Sequence, residues 1–306
     1  MASPYLEIFR SPRIAVVTLL GFASGLPLAL TGSTLQAWLT VEGVDIKTIA
    51  WFSWIGLPYL LKVLWSPAMD RFVPPFLGRR RGWILMAQLG LAIGVAGMAL
   101  GSPGESLWFI GAMALWIAFA SASQDIVIDA YRTDLLPQQE RGMGAAVSVL
   151  GYRIAMLASG GLALVLADQI GWKTTYLAMA AMMAATMIVT LLAPEPAAPT
   201  HAPKSLLEAV ILPLKDLLAR PGAWSLLALI MLYKFGDALA GTLTTAFLIR
   251  GVGFTPTDVG VVNKGLGLAS LLVGALLGGV LLAKLPLVRA LLLFGALQAI
   301  SNLSFA

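Results

Sequence analysis

The chain has 306 residues, 59% of them hydrophobic and only 11% charged, where a soluble domain carries roughly 25% charged residues. Twenty Lys and Arg with fifteen Asp and Glu cannot coat a globule of this size, so a water-soluble fold is excluded. No cysteine and a single histidine, His201, exclude disulfides, thiol chemistry and imidazole metal clusters. The net charge of +5 in so apolar a chain reads as the basic excess of cytoplasmic loops, with lipid and not nucleic acid as the partner.

A bilayer core about 30 Å thick takes around 20 apolar residues per helix. Such stretches recur at 14–39, 48–69, 83–101, 107–130, 143–167, 173–193, 222–249, 258–283 and from 288 onward. The leading segment MASPYLEIFRSPR is polar. The first apolar run is too long for a removable signal and lacks a small-residue cleavage site, so it is expected to stay in place. With the N-terminus in the cytoplasm, thirteen of the twenty Lys and Arg fall in cytoplasmic segments, among them Arg10, Arg71, Arg79, Arg80, Arg81, Arg132 and Arg141. Lys47, Lys173 and Arg250 fall on the other side, and this bias predicts the N-in orientation. Trp38, Trp83, Trp108 and Trp172 stand near span ends, where interfacial anchors are expected.

The reading is an all-α polytopic membrane protein in three parts: a six-helix bundle over 1–193, a cytoplasmic linker over 194–221, and a partial second bundle over 222–306. The linker begins Pro- and Ala-rich and continues over 204–220 as an amphipathic helix suited to the membrane face. A shift of 208 positions aligns Thr34, Leu35, Gly43 and Val44 with Thr242, Leu243, Gly251 and Val252, as two parallel repeats would. Ser304, Phe305 and Ala306 fall inside an apolar run without a polar flank, so further spans of the second bundle are expected beyond them.

Seven ionisable residues fall within the spans: Lys62, Asp125, Asp129, Arg153, Lys234, Asp237 and Lys264. At about 2.5 to 3.5 kcal/mol each near the bilayer centre, they must pair or meet water. A hydrated cavity shared by both repeats is the cheapest arrangement, and its four bases against three acids favour an anionic solute. Arg153, Lys234 and Asp237 lie about 15 to 22 Å in from the cytoplasmic ends of their helices and are the leading substrate-site candidates, with Lys62 nearer that side. Lys234 and Asp237, three apart, alternatively neutralise each other. Asp125 and Asp129, four apart on one face, repel, which suits a proton carrier or gate; alternatively Asp129 pairs with Arg132. Trp51 and Tyr59 are candidates for stacking on sugar rings, and Gln36 and Gln124 for bonding amides. An intramembrane enzyme is the rival class, in which Asp125 and Asp129 hold a metal and a pyrophosphate, but two carboxylates without a second acidic motif make a poor metal site.

The loop DRFVPPFLGRRRG after the second span, an acid and then Gly followed by consecutive Arg, resembles the signature loop of the major facilitator superfamily, with a longer spacing from Asp to Gly. It suggests a cytoplasmic latch of Asp70, Arg71, Arg79, Arg80 and Arg132, in which Asp70 pairs across bundles while Arg79 to Arg81 face the cytoplasm; a plain positive-inside loop is the alternative. The stretches at 21–49, 64–83, 120–164 and 232–254, which include the intramembrane charges, resemble the AmpG family of bacterial inner-membrane muropeptide permeases. The resemblance implies import of anhydro-muropeptides, GlcNAc-anhydroMurNAc carrying a short peptide, for peptidoglycan recycling. It also implies dependence on the proton motive force and a link to induction of the AmpC β-lactamase. A non-enzymatic monomer without cofactor or metal, using protons as the coupling ion, is then expected; another anionic sugar or peptide solute is the alternative cargo.

Overall fold

Helix is the only regular structure among the described residues, as hydrocarbon demands of a segment that must pair its own backbone groups. The computed structural model describes residues 11–197, 206–246 and 267–302, which fold as two compact units, Met1–Ala209 and Val210–Ala306.

In the first unit, α1 (Pro12–Thr31) gives way at Gly32 (φ −103°, ψ −109°) to α2 (Ser33–Val41). The Gly32 amide still bonds the Leu28 carbonyl, and the Thr31 hydroxyl turns back to the Pro27 carbonyl at 3.2 Å. The second predicted span is not one helix. It runs as α3 (Ile46–Phe52), a 3-10 turn at Ser53–Gly56, α4 (Leu57–Leu61), a 3-10 turn at Lys62–Leu64 and α5 (Ser66–Arg71). Proline explains both turns. Pro58 and Pro67 lack the N–H that would serve the carbonyls of Trp54 and Val63. The Leu57 amide takes the first through a tighter turn, and the Ser66 hydroxyl takes the second at 3.2 Å. Asp45 opens α3 by accepting from the amides of Lys47 and Thr48 and from the Thr48 hydroxyl, which holds its carboxyl below the ordinary value.

Then come α6 (Arg79–Met98), α7 (Leu107–Leu135) and α8 (Arg141–Met156). A π-helical turn at Leu157–Leu162 leads into α9 (Ala163–Ile170), and α10 (Trp172–Leu192) follows. Among the described residues, five stretches are long and apolar enough to cross a bilayer: Pro12–Val41, Arg79–Met98, Leu107–Leu135, Arg141–Ile170 and Trp172–Leu192. Beyond them α11 (Leu206–Ala219) occupies the linker. In the second unit α12 (Ala223–Ala246) and α13 (Gly267–Lys284) both pack on α14 (Leu287–Asn302), and Gln298 donates to the Tyr233 carbonyl at 2.8 Å.

The first unit is organised around α1, which packs on α7, α8 and α10. Its contact with α8 is made by glycine. A Cβ on Gly25 would stand 2.8 Å from Tyr152 Cα, and one on Gly21 would stand 2.9 Å from Ser148 Cα; Gly151 on α8 faces the Thr18 carbonyl as closely. Small residues let membrane helices approach to backbone contact, where dispersion does the work that the hydrophobic effect does in water. Trp38 departs from the interfacial role expected of it: it is 3% exposed, stacked on Trp172 at 5.7 Å and against Tyr176, whose hydroxyl bonds the Leu30 carbonyl at 3.0 Å. The α1–α2 break turns it inward. Trp108, by contrast, is 90% exposed.

Gly25→Leu is therefore expected to separate α1 from α8 and destabilise the protein by about 1–3 kcal/mol, read as a lowered melting temperature in detergent. Gly161→Leu, where a Cβ meets nothing within 4 Å, is expected to leave it nearly unchanged.

Candidate functional site

The 29-residue helix α7 carries the polar centre of the first unit. Ser121, Gln124 and Asp125 stand at i, i+3 and i+4, hence on one face. Asp125 accepts a hydrogen bond from Ser24 of α1. Lys62, from the second 3-10 turn, and Asp129 are the charged groups within electrostatic reach of it, and Tyr59 and Tyr152 flank it. Asp129, one turn on, points elsewhere: its side chain is 58% exposed and pairs with Arg132 at 3.0 Å. The two carboxylates thus have separate partners, and among the described residues no three His, Asp or Glu side chains converge. The metal-binding arrangement required by the enzyme alternative finds no support in this geometry.

Two buried glutamines show how unusual this centre is. Gln88 on α6 is fully buried and satisfied: it donates to the Thr186 hydroxyl at 3.3 Å and accepts from Thr190 at 2.8 Å, tying α6 to α10. Gln124 is equally buried, yet both ends of its amide lack a partner, as do the Ser121 hydroxyl, the Tyr59 hydroxyl and Arg153 Nε. Buried polar groups without a protein partner are where water or a ligand completes the bonding, so a cluster of them marks a candidate site.

A cavity of about 220 Å³ opens beside this centre, between the α1–α2 break and the broken second stretch. Leu28, Thr31, Gly32, Gln36, Phe52 and Tyr59 are among its walls. The kink at Gly32 and the 3-10 turn at Ser53–Gly56 both border it, and Thr34 in the first turn of α2 bonds the Ser159 carbonyl of the π-helical turn at 2.6 Å. Two helical irregularities from distant parts of the chain therefore border one opening, and the third is tied to α2 beside it.

A second cluster forms at the start of α6. Arg80, 7% exposed, bonds Asp70 at 2.8 Å and Asp134 of α7 at 2.7 Å, and Arg79 reaches Asp70 at 3.5 Å. Glu195 accepts from the amides of Arg80 and Arg81 at 2.8 and 3.1 Å, placing an anion on a helix N-terminus. Arg81 donates to the carbonyls of Thr190 and Leu191 at the end of α10. Arg80 is thus interior, where a cytoplasm-facing side chain was expected, because two carboxylates and the end of α7 enclose it. Among the described residues, the ion-pair partners of Asp70 are Arg79 and Arg80.

Of the expected site residues, the structure brings together Asp125, Tyr59 and Lys62, and places Gln36 with Tyr59 on the cavity wall. Asp70, Arg79 and Arg80 also meet, whereas Arg71 is exposed and Arg132 belongs to Asp129. Arg153 is half-buried, has no acidic partner among the described residues, and donates only to the Met156 sulfur at 3.6 Å. Trp51 is 70% exposed and stacks on Trp54 at 6.5 Å, outside the cavity walls. The backbone of α12 includes Lys234 and Asp237, but their side chains lie outside the described residues, as does the whole of Lys264. Sequence reasoning missed Ser24, Ser121, Asp134 and Glu195. The signal for the last two was charge balance: Asp70, Asp134 and Glu195 are acids at span ends on the side of the arginine run Arg79–Arg81.

Comparison with known proteins supplies the context. The family model of the Major Facilitator Superfamily matches residues 6–306. The anhydromuropeptide permease of Escherichia coli K12 is 58% identical over 306 residues, all of this chain and 62% of that protein, so the chain spans about three fifths of the relative's length. An uncharacterized protein of Haemophilus influenzae is 40% identical over 94% of the chain and 69% of its own length. The putative transporter AmpG 4 of Rickettsia felis is 32% identical over 98% of the chain and 74% of its own length. With a family match that leaves out only the first five residues, and with helices of membrane length beneath it, the chain is a multi-pass membrane protein that belongs to the major facilitator superfamily.

Proposed function

We propose that this protein is a secondary active transporter, not an enzyme, which imports anhydro-muropeptides from periplasm to cytoplasm for peptidoglycan recycling at the expense of the proton motive force. The observation that carries the proposal is the full-chain similarity to a protein named as an anhydromuropeptide permease. The chemistry is suited to that cargo. Peptide carboxylates call for an unpaired base, and Arg153 is one among the described residues. Sugar rings and N-acetyl amides call for an aromatic and an amide on one cavity wall, which Tyr59 and Gln36 provide. Lys62, Trp51, Lys234, Asp237 and Lys264 complete the proposed substrate pathway, the last three from the second bundle, whereas Gln124, expected there too, is fully buried behind it.

Asp125 is the proposed proton carrier, held on α7 between Ser24 and Lys62, and Asp129 with Arg132 is a proposed gate on the same helix. The cluster of Asp70, Arg79 and Arg80 is proposed to steady one conformation of the first bundle, loosening as the bundles rock. The excess of Lys and Arg in alternate loops supports a cytoplasmic N-terminus in the bacterial inner membrane. Function as a monomer, surrounded by lipid, and an effect on AmpC β-lactamase induction through the imported muropeptide belong to the same reading.

The deciding measurement is uptake of labelled anhydro-muropeptide by the full-length protein in right-side-out membrane vesicles. Accumulation is expected with an inward proton gradient and is expected to collapse with an uncoupler; accumulation indifferent to the gradient removes proton coupling. Asp125→Asn is expected to abolish gradient-driven accumulation while retaining exchange of labelled for unlabelled solute, since exchange needs no net proton movement. Arg153→Gln is expected to raise the half-saturating concentration roughly tenfold or more, the worth of a charged hydrogen bond, with normal membrane insertion seen on immunoblots. An unaltered value takes Arg153 out of the binding site.

A further inference from the structure

The orphaned hydroxyls of Tyr59 and Ser121 occupy a particular place: between the cavity at the α1–α2 break and the Asp125 carboxylate. Tyr59 is on the cavity wall. Its hydroxyl is faced by those of Ser121 and Thr31 and lies within electrostatic reach of Asp125, yet it makes no hydrogen bond of good geometry. Ser121 stands behind it, completely buried, one helical turn from Asp125 on the same face of α7. Gln124 adds a donor and an acceptor, both open, on that face. Because Ser121 and Gln124 have no accessible surface, a sugar or peptide in the cavity has no route to them. Only water and protons are small enough to use these groups, and a polar pocket with several open donors and acceptors is where buried water is stable. Tyr and Ser hydroxyls each donate one hydrogen and accept others, as a relay requires, and their phenylalanine and alanine counterparts keep the packing volume almost intact.

We propose that Tyr59 and Ser121, bridged by water, form the proton path between this cavity and Asp125. The statement rests on the proton-coupled reading above. A proton arriving from hydronium in the cavity bonds to Tyr59 Oη as the phenol's own hydrogen passes toward Ser121 Oγ. The hydrogen of Ser121 then passes to the Asp125 carboxylate. Each O–H bond formed is matched by one broken, the hydronium is left as water, and a single positive charge ends on Asp125, neutralising it. Rotation of the two hydroxyls restores the path. The groups facing Asp125 along the way are Ser24 from α1, Lys62 and Tyr59 from the second stretch, Asp129 on α7 and Tyr152 from α8, with Arg153 beside Tyr152. Of these, Tyr59 alone also walls the cavity.

The test compares two fluxes of labelled anhydro-muropeptide in vesicles holding the full-length protein: gradient-driven accumulation and gradient-free exchange. In Tyr59→Phe and in Ser121→Ala, the ratio of the first to the second is expected to fall roughly tenfold or more, the cost of losing a positioned proton-transfer group. Alkalinisation of the medium on adding substrate is expected to slow in step. A loss of binding or of folding lowers both fluxes together and leaves the ratio where it was. A wild-type ratio in either variant, with its exchange flux retained, overturns the path. Wild-type protein whose accumulation ignores the gradient overturns the proton-coupled reading instead, so the two failures are told apart.

Discussion

The constraint on which this structure depends is the cost of polar groups in hydrocarbon, about 2.5 to 3.5 kcal/mol for an ionised side chain near the centre and more than the fold can spend many times over. Its effects differ between the two ends and the middle of the first unit. At the start of α6 the cost is met by pairing, with Arg80 enclosed by Asp70 and Asp134 and the helix N-terminus closed by Glu195. Between α6 and α10 it is met by mutual satisfaction of Gln88, Thr186 and Thr190. Around Asp125 it is met incompletely: the carboxylate has Ser24, while Ser121, Gln124 and Tyr59 make no side-chain hydrogen bond of good geometry. In the proposed function, this is the place where a proton and an aqueous solute enter.

The broken helices follow from the same constraint. A proline in a membrane helix frees a carbonyl, and that carbonyl must find another donor. At Pro58 and Pro67 the donors are a tightened backbone turn and the Ser66 hydroxyl, and at the π-helical turn the Ser159 carbonyl takes Thr34 from another helix. Because each break is repaired locally, the backbone bends without exposing bare polar groups. Glycine then brings α1 and α8 to backbone contact at Gly21, Gly25 and Gly151, so the break at Gly32 and the π-helical turn ride on two helices held tightly together.

Much of this was legible in the sequence and some was not, for definite reasons. Of the nine spans read from hydropathy, five coincide with helices of membrane length among the described residues, because about 20 apolar residues need nothing else to be stable as helix in a bilayer. Hydropathy also marks 48–69 as a single span, since it averages over prolines whose effect is on hydrogen bonding. Asp125 was visible as a charge that had no business in lipid; Ser24 and Ser121, which surround it, were not, since serine is common in membrane helices and only packing shows which ones face a carboxylate. Trp38 looked like an interfacial anchor by its distance along the first span, but the turn at Gly32 directs α2 toward Trp172 and Tyr176. Arg80 looked like one more cytoplasmic charge, and its burial is the work of Asp134, 54 residues further on.

The polar centre and the arginine cluster have one element in common. α7 is a single helix from Leu107 to Leu135 that carries Ser121, Gln124 and Asp125 near its middle and Asp134 at its end. Its neighbours at the cavity are jointed, at Gly32, at Ser53–Gly56 and at Lys62–Leu64, whereas α7 has no joint. A regular helix of that length transmits displacement along its axis, and a jointed one absorbs it. Neutralising Asp125 alters what Ser24 and Lys62 gain from holding it, and those two residues sit on the jointed elements α1 and the second stretch. On the proposed reading, a change in the charge of that carboxylate would act first on these jointed elements, while Arg80 and Asp134 anchor the far end of α7 against the start of α6. On the proposed proton-coupled reading, that division, a fixed rod with a titratable group at its centre and articulated helices around it, would give proton binding a mechanical purchase on the cavity without requiring the rod itself to deform.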